Sequence, residues 1–359
     1  MPATTYPEFN ENTEALEVAK AFSEGIRGKT ILVTGVNPGG VGFSTAHAFA
    51  SQSPTHLIVA GRTPSKLQEC IGLFKAEFPG VDYRPLHVDL SSQKSVRAAA
   101  AEVLSWPDVP TIDIIVNSAG IMGVPERTLN EDGIELHFAT NHIGHWLLTC
   151  SLMPKLIKAA EGSPKGATRV VNVSSASPMV SVMRWSDINF DKKNKDLPKA
   201  EQPNYELIKM WGYEDVENKS YVGLQGYNQS KVANVLFGIG ANKRLYEKHG
   251  ILTLAVHPGI IDTELGRYFP PENLAAIDTM LKTGIYTRKT LGGGASTSLV
   301  GALDPKLGVG EVKDGKENYG AFLADCQITD KAQPLAVSSS EAEKLWKLSE
   351  DLVKEKFEW

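Results

Sequence analysis

The chain has 359 residues, of which 42% are hydrophobic, so it can bury a sizeable core. That length would allow two domains, but α/β folds of this size often form one. The formal net charge of -5 and the pI near 6.0, without a basic block, argue against nucleic acid as a partner.

The cysteines and the apolar runs bear on where the protein works. Cys70, Cys150 and Cys326 lie far apart and lack CxxC spacing, so we expect reduced thiols and neither a disulfide framework nor a metal site. No stretch approaches the roughly 20 apolar residues of a membrane helix, and residues 1–12 lack the apolar core of a signal peptide. These features predict a soluble, cytoplasmic protein without an integral membrane segment.

Residues 1–28 are expected to be an N-terminal extension of a domain that spans residues 29–359. A short amphipathic helix is predicted from Thr13 to Phe22, with Leu16, Val18, Ala19 and Phe22 as its apolar positions. We expect this helix to pack on the domain rather than to anchor the protein in a membrane.

A nucleotide site is predicted next. The run Lys29 to Thr34 reads as a buried strand, a glycine-rich turn extends from Gly35 to Phe43, and a helix follows from about Ser44 to Ser51. A strand, a glycine turn and a helix in this order let the backbone approach a pyrophosphate and direct the helix N-terminus at its charge. The context favours a dinucleotide site over a plain glycine loop.

The next predicted strand, His56 to Ala60, bears on the choice of cofactor. It is followed by Arg62, with Lys66 one helical turn further on. An acidic residue at this place would bind the adenosine ribose hydroxyls, whereas a basic one accommodates a 2′-phosphate. The sequence therefore predicts NADP(H) rather than NAD(H), although an exposed Arg after a strand is also an ordinary surface feature.

Further strand-like runs recur with amphipathic segments between them, which indicates βα repeats and a parallel sheet covered on both faces. These runs are Tyr83 to Val88, Ile112 to Val116, Arg169 to Val173, Leu252 to Val256 and Tyr319 to Leu323.

Tyr227 and Lys231 are the most informative pair, because a separation of four residues puts both side chains on one face of a helix. An ammonium beside a phenol favours the phenolate, so the pKa of Tyr227 is expected to fall toward neutrality and the hydroxyl to exchange a proton. In isolation the pair could equally be an interfacial Tyr with a solvated Lys.

Together these motifs resemble the short-chain dehydrogenase/reductases, and within them the retinol-dehydrogenase-like group, from about Lys29 to Val353. The resemblance implies a single Rossmann domain with a doubly wound, mostly seven-stranded parallel sheet and helices on both faces. The matching segments are Thr34 to Gly42 (TGxxxGxG), Asp89-Leu90, Asn117 to Gly120 (NNAG), Thr140 to His145, Val171 to Ser175, Tyr227 with Lys231 (YxxxK), and His257 to Thr263.

The resemblance also implies catalytic roles. Tyr227 would be the general acid for ketone reduction or the base for alcohol oxidation, and Ser175 would hydrogen-bond the substrate oxygen. Lys231 would lower the pKa of Tyr227 and bind the nicotinamide ribose, while Asn141 would hold a water that connects Lys231 to solvent. The residues expected to bind cofactor are Gly35, Asn37, Gly40, Val41, Gly42, Arg62, Lys66, Asp89, Leu90, Asn117, Ser118, Ala119, Gly120, Tyr227, Lys231, Pro258, Gly259, Ile261 and Thr263.

Two details stay open at this stage. Adjacent strand residues face opposite ways, so only one of Ser174 and Ser175 can enter the site, and the family pattern favours Ser175. The glycine turn is one residue longer than the family pattern, so the sequence does not decide whether Gly39 or Gly40 contacts the phosphate. Ser118 replaces an amide of the family motif, a change expected to be mild.

The largest departure is an insertion at about 183–222. Between Ser175 and Tyr227 lie 51 residues, far more than is usual in the family. Connections of this length are more often functional or disordered than neutral. We expect a partial lid over the substrate cleft; the alternative is a solvated surface excursion, which its lysines would suit.

The sequence thus predicts an NADP(H)-dependent oxidoreductase that acts on the carbonyl or alcohol group of a lipophilic small molecule, such as a secondary metabolite. The apolar residues between Thr263 and Thr290 suggest a bulky substrate. The alternatives are a retinal or steroid-like substrate, or a non-catalytic NADP(H)-sensing protein. Family members often form dimers or tetramers, but the insertion can block those faces, so a homo-oligomer stays open.

Overall fold

A single large sheet organises the computed structural model, which describes residues 3–359. The strands are β1 Thr30–Thr34, β2 His56–Gly61, β3 Asp82–His87, β4 Ile114–Asn117, β5 Thr168–Val173, β6 Ile251–His257, β7 Ile260–Ile261, β8 Arg288–Lys289, β9 Glu311–Lys313, β10 Lys316–Tyr319, β11 Phe322–Ala324 and β12 Gln327–Ile328. The sheet order is β3-β2-β1-β4-β5-β6-β11-β12, in which seven strands are parallel and the short β12 pairs antiparallel with β11. The predicted doubly wound, mostly seven-stranded parallel sheet is confirmed.

Helices cover both faces of this sheet. They are α1 Ala15–Ala21, α2 Val41–Ala50, α3 Pro64–Glu77, α4 Gln93–Ser105, α5 Leu136–Phe138, α6 Gly144–Glu161, α7 Ser177–Val180, α8 Tyr205–Met210, α9 Gly223–His249, α10 Pro271–Lys282, α11 Leu291–Leu303 and α12 Ser339–Val353. Alternation along β1 places Ile31 and Val33 in a core with α1, α2, α3 and α11, whereas Leu32 faces the core formed by α4, α6, α9 and α12. The sheet therefore separates two apolar cores.

Strand order reverses between β1 and β4, because β2 and β3 extend to one side and β5 and β6 to the other. In sheets of this kind ligands bind in the crevice beyond the carboxyl ends of the strands at such a switch point. The loops that follow β1, β4, β5 and β6 meet at this edge.

Several predicted boundaries were wrong. The helix expected from Ser44 begins at Val41, because Gly40 already has the extended conformation of an N-cap. The last parallel strand is Phe322–Ala324, whereas Tyr319 ends the small antiparallel pair β9 and β10. In α1 the predicted core position Leu16 is 49% exposed and Ala15 is buried in its place, since α1 presents that face to α11 and α2.

The insertion is folded and has its own buried anchor. It contains α8, and its Arg184 forms a buried ion pair of 2.5 Å with Asp187 while lying 4.5 Å from the ring centroid of Phe190. Its residues Ile208 and Val216 pack with Tyr227 in a small third core. The lysines that suited a solvated excursion are exposed: Lys192, Lys193, Lys195 and Lys199. The insertion thus combines a solvated outer face with an inner face against the start of α9.

Across residues 3–359, the helices are all too short or too polar to cross a membrane.

Candidate active site

A cavity of about 610 Å³ lies along the carboxyl edge of the sheet. One half is formed by the glycine turn and the loops after β2, β3 and β4. The other half is apolar and is formed by the start of α9, the insertion and the segment that leads into α10. Every residue expected to bind cofactor or to act in catalysis lines this cavity, except Asn117 and Asn141.

The glycine turn after β1 leaves no room for side chains at two positions. Gly35 has a φ of +73°, and a Cβ there would lie 2.6 Å from Cα of Ala119. A Cβ at Gly42 would lie 2.5 Å from the carbonyl oxygen of Gly35. The turn therefore packs directly against neighbouring backbone, and α2 begins at Val41 with no side chain capping its free N–H groups. These features suit a pyrophosphate.

The structure distinguishes the two glycines that the sequence left open. Gly40 lines the cavity and is the N-cap of α2, whereas Gly39 does not line the cavity. Asn37, which also lines the cavity, lies with its Oδ1 3.0 Å from where a Cβ of Gly40 would stand. Gly40 is thus the glycine placed to face a phosphate.

Two basic residues, Arg62 and Lys66, lie at the far end of the glycine-turn half of the cavity. Arg62 is exposed at the end of β2, and its carbonyl accepts a hydrogen bond of 3.1 Å from Nε2 of His87. Lys66 donates to the Glu264 carboxylate at 2.9 Å, and both side chains are partly in solvent. Lys66 is therefore already paired across the cavity mouth, and Arg62, like Arg267, lies beside the Tyr268 hydroxyl.

The segment from Asn117 to Gly120, at the end of β4, divides into two parts. Ser118 and Ala119 line the cavity, and their backbone N–H groups donate to Oγ1 of Thr34 at 2.9 and 3.0 Å. The Asn117 side chain is turned into the protein, where its amide donates to Oδ1 of Asn172 at 2.9 Å. Asn117 therefore ties β4 to β5 from behind the cavity.

The two candidate serines are now distinguished. The Ser174 hydroxyl is buried and donates to the carbonyl oxygen of Lys231 at 2.7 Å, so it is committed to α9. The Ser175 hydroxyl belongs to the cavity wall, lies beside Tyr227 and donates to the Ser177 hydroxyl at 2.7 Å. Of the two, Ser175 is the one available to a ligand.

Lys231 and Tyr227 share a face of α9, as their spacing predicts, but their interaction differs from the expectation. Nζ of Lys231 donates to the carbonyl oxygen of Val173 at 2.7 Å and lies 5.6 Å from the ring centroid of Tyr227. Burial raises the pKa of Tyr227 to about 12, an effect that the hydrogen bond with Ser175 only partly offsets. Burial also lowers the pKa of Lys231 to about 7.

The expected fall in the pKa of Tyr227 is therefore wrong for this structure. Desolvation of the phenol outweighs the influence of an ammonium that faces a backbone carbonyl and is itself easily neutralised. The consequence is that Tyr227 carries its proton at neutral pH.

Asn141 lies behind the cavity in a π-helical turn, Ala139–Ile143, between α5 and α6. Its side chain accepts from the backbone N–H of Ile121 at 2.9 Å and donates to the Ile121 carbonyl at 3.0 Å and to the Ser230 hydroxyl at 2.9 Å. In this position the side chain clamps the loop after β4 to α9. Such π-turns often occur at functional sites.

The apolar half of the cavity draws on five separate parts of the chain: the loop after β4, α7, the insertion, the start of α9 and the region around α10. Its apolar and aromatic lining residues include Met122, Val180, Leu207, Trp211, Leu224, Phe269, Leu274, Ile277 and Tyr286. The Trp211 ring, from the insertion, lies 6.0 Å from Phe269 and 5.9 Å from Tyr286. The buried Asn273 of α10 donates to the carbonyl of Trp211, which joins the insertion to α10. A lipophilic group would be enclosed on several sides here.

Sequence reasoning missed two polar residues of the wall, Ser177 and Asn228. The hydroxyl of Ser175 donates to Ser177 at 2.7 Å, and Ser177 donates to Oδ1 of Asn228 at 2.7 Å. Their proximity in sequence to Ser175 and Tyr227 was the available signal, but spacing alone does not show that they touch.

Comparison with known proteins agrees with this geometry. A family model described as short chain dehydrogenase matches residues 29–187. Oxidoreductase fscI from Fusarium equiseti is 37% identical over 251 residues, which cover 70% of this chain and 94% of that protein. Retinol dehydrogenase 14 from Homo sapiens is 32% identical over 342 residues, which cover 91% of this chain and 87% of that protein. A crystal structure of an uncharacterized protein from Mycobacterium paratuberculosis is 25% identical and superposes with a TM-score of 0.62, covering 93% of this chain and 96% of that one.

Proposed function

We propose that this chain, which belongs to the short-chain dehydrogenases and to their retinol-dehydrogenase-like group, is an NADP(H)-dependent oxidoreductase that reduces a ketone or aldehyde of a lipophilic small molecule. The reverse reaction, oxidation of the alcohol, uses the same groups. One observation carries the proposal: Ser175, Tyr227 and Lys231 line a single cavity together with the glycine turn on one side and the apolar residues on the other.

The residues of the glycine-turn half fit a dinucleotide, because Gly35 and Gly42 allow a tightly packed turn after β1 and the start of α2 has no side-chain cap, which leaves its first N–H groups for a phosphate. When bound, NADPH supplies the hydride. Arg62 would pair with the 2′-phosphate, and Lys231 would hold the nicotinamide ribose from the floor of the cavity.

Tyr227 and Ser175 would both donate to the substrate oxygen, which gains negative charge as the hydride arrives. Burial raises the pKa of Tyr227 to about 12, so the phenol is the form that would donate a proton to the substrate oxygen. Asn141 acts at a distance by holding α9 against the loop after β4.

The apolar half of the cavity supports a lipophilic substrate, and the Trp211, Phe269 and Tyr286 rings suit one with an aromatic or conjugated system. A retinal-like substrate is a second candidate, favoured by the 32% identity to retinol dehydrogenase 14 over 91% of this chain. The insertion at 183–222 would act as a lid over this half, and residues 1–28 as an extension of the domain at 29–359. A cytoplasmic location remains a prediction, based on three free cysteines.

The test is turnover of purified protein with a panel of aromatic ketones, aldehydes and all-trans-retinal, with NADPH or NADH as the reductant. Consumption of NADPH with formation of the alcohol is expected for at least one bulky member. The Tyr227→Phe protein is the control, since it should bind NADPH but not turn over. NADPH binding without turnover of any carbonyl, in both proteins, would support an NADP(H)-sensing protein instead.

A further inference from the structure

A chain of polar side chains leads away from Ser175 along the wall of the cavity. The Ser175 hydroxyl lies 2.7 Å from that of Ser177, which in turn lies 2.7 Å from the amide of Asn228. Ser177 is 4% exposed and Asn228 is 7% exposed, so bulk water competes little for these bonds. Ser177 begins α7 and Asn228 directly follows Tyr227 on α9, so the chain joins two elements of the site.

The end of such a chain decides which way its protons point. With Oδ1 of Asn228 as the acceptor, Ser177 donates to Asn228 and Ser175 donates to Ser177, so the Ser175 proton points away from the cavity. A half-turn of the amide exchanges its oxygen for its nitrogen at nearly the same place. Asn228 would then donate to Ser177, Ser177 to Ser175, and the proton of Ser175 would be released toward the cavity.

Two observations make this half-turn accessible. Throughout residues 3–359, the structure offers the Asn228 amide nitrogen no hydrogen-bond partner, so rotating it breaks no bond other than the one to Ser177. Asn228 also lies in the wall between the main cavity and a neighbouring cavity of about 290 Å³, which leaves space beside the amide. The hydroxyl of Ser177 can serve either direction, because a hydroxyl both donates and accepts.

We propose that Asn228 and Ser177 are positioning residues that turn the Ser175 hydroxyl toward the substrate oxygen through a donor chain from the Asn228 amide to Ser177 to Ser175. This inference rests on the proposed function, in which Ser175 donates to that oxygen. Each bond of the chain polarises the next, so the amide strengthens Ser175 as a donor without touching the substrate. An amide is required at the end, because a carboxylate can only accept and holds both hydroxyl protons away from the cavity.

The experiment begins with Asn228→Asp, assayed for reduction of a carbonyl substrate by NADPH across a range of pH. Above the pKa of the new carboxyl group, kcat should fall by about 10-fold or more, less than the roughly 10²–10³-fold that follows outright loss of an oxyanion donor. The NADPH Kd should stay unchanged. As the pH falls, the protonated carboxyl group can donate again, so the loss in kcat relative to the parent should shrink.

The matched control is Gln229→Glu, the same change of amide to carboxylate at the next buried position of α9, whose side chain bonds Arg184 and Ile188 instead of Ser177 and does not line the main cavity. It should show no pH-dependent loss in kcat. An equal, pH-dependent loss in Gln229→Glu would assign the effect to a buried charge near α9 and would overturn the proposed chain.

A double-mutant cycle separates the chain from the proposed function. In a Ser175→Ala background, Asn228→Asp and Ser177→Ala should cause no further loss in kcat, because they act through Ser175. The same fold-loss in both backgrounds would overturn the chain while leaving Ser175 in its role. Full activity of Ser175→Ala alone would instead contradict the role of Ser175 in the proposed function. If Asn228→Asp does not fold, the same double-mutant cycle can be measured with Ser177→Ala, because that substitution removes only one oxygen atom and is the smaller change.

Discussion

The hydroxyl of Thr34 shares a hydrogen bond of 2.8 Å with Nε2 of His145, and this bond has a defined direction. Thr34 already accepts from the backbone N–H groups of Ser118 and Ala119, so it donates to His145. The other ring nitrogen of His145 donates to the carbonyl oxygen of Asn141 at 3.0 Å. A neutral imidazole therefore links β1, the loop after β4 and the π-turn, and its protonation would break the link.

This link predicts how stability depends on pH. Burial, aided by the charge of Lys231, lowers the pKa of His145 from 6.5 to about 4. Between these values the unfolded chain binds the proton and the folded protein does not, so the free energy of unfolding falls as the pH falls. The slope approaches about 1.4 kcal/mol per pH unit for each such group. The buried His142 and His257 add to it, because burial lowers their pKa values to about 3 and about 4.

Urea unfolding at several pH values across this range checks the prediction. His145→Gln should lose part of the pH dependence, whatever its absolute stability, because one proton fewer is taken up on unfolding. His87→Gln is the control, since His87 is exposed. Equal slopes for the parent and His145→Gln would mean that His145 is not the neutral link described here.

Tyr227→Phe tests the role of Tyr227 as the general acid. The substitution removes the hydroxyl and leaves the ring in the apolar cluster that it shares with Leu224 and Phe269. We expect kcat to fall by at least the roughly 10²–10⁴-fold that general acid–base catalysis contributes, while NADPH still binds. Steady-state kinetics and a fluorescence titration with NADPH measure the two quantities. Near-normal turnover would remove Tyr227 from the mechanism.

Arg62→Ala tests the choice of cofactor. If the guanidinium pairs with the 2′-phosphate, KM for NADPH should rise by about 10-fold to 100-fold, which corresponds to about 1.5–3 kcal/mol for a charge-assisted hydrogen bond. KM for NADH should change little. Lys75→Ala is the control, because Lys75 is an exposed cation on α3, the helix that follows Arg62, and does not line the cavity. Equal weakening of NADPH and NADH by Arg62→Ala would make Arg62 a structural residue.

Replacing 183–222 by a short connection tests the insertion. The glycine turn lies in the other half of the cavity, so NADPH should still bind and small ketones should still turn over. Bulky substrates should lose kcat/KM, because they lose desolvation and positioning by Leu207 and Trp211. The ratio of kcat/KM for bulky and small substrates is the measurement.

Point variants keep this prediction testable if the shortened protein does not fold. Trp211→Ala should reproduce part of the loss, since its ring faces Phe269 and Tyr286 in the cavity. Trp185→Ala is the matched control from the same insertion, because its indole N–H donates to Glu341 of α12, outside the cavity. If the ratio of kcat/KM for bulky and small substrates is unchanged in Trp211→Ala, the insertion does not act as a lid over the substrate cleft.

The sequence by itself determined the features that depend on local geometry. The strand, glycine turn and helix around Gly35 follow from backbone freedom and periodicity within a short window. A spacing of four residues placed Tyr227 and Lys231 on one face of α9, and strand alternation predicted that only one of Ser174 and Ser175, the two residues that follow β5, would face the site. The family resemblance, in turn, supplied the doubly wound, mostly seven-stranded parallel sheet and the choice of Ser175.

Only the tertiary structure decided what surrounds each group. The partner of Lys231 is the carbonyl of Val173, 58 residues away in sequence, and burial from several elements sets the pKa of Tyr227. Desolvation depends on everything packed around a side chain, so spacing along one helix could not reveal that the pKa rises. For the same reason the amide of Asn117 proved to face the protein interior and Trp211 to meet the rings beside α10. Local spacing fixes which face a residue occupies, whereas the packing of distant segments fixes its charge, its partners and its access to a ligand.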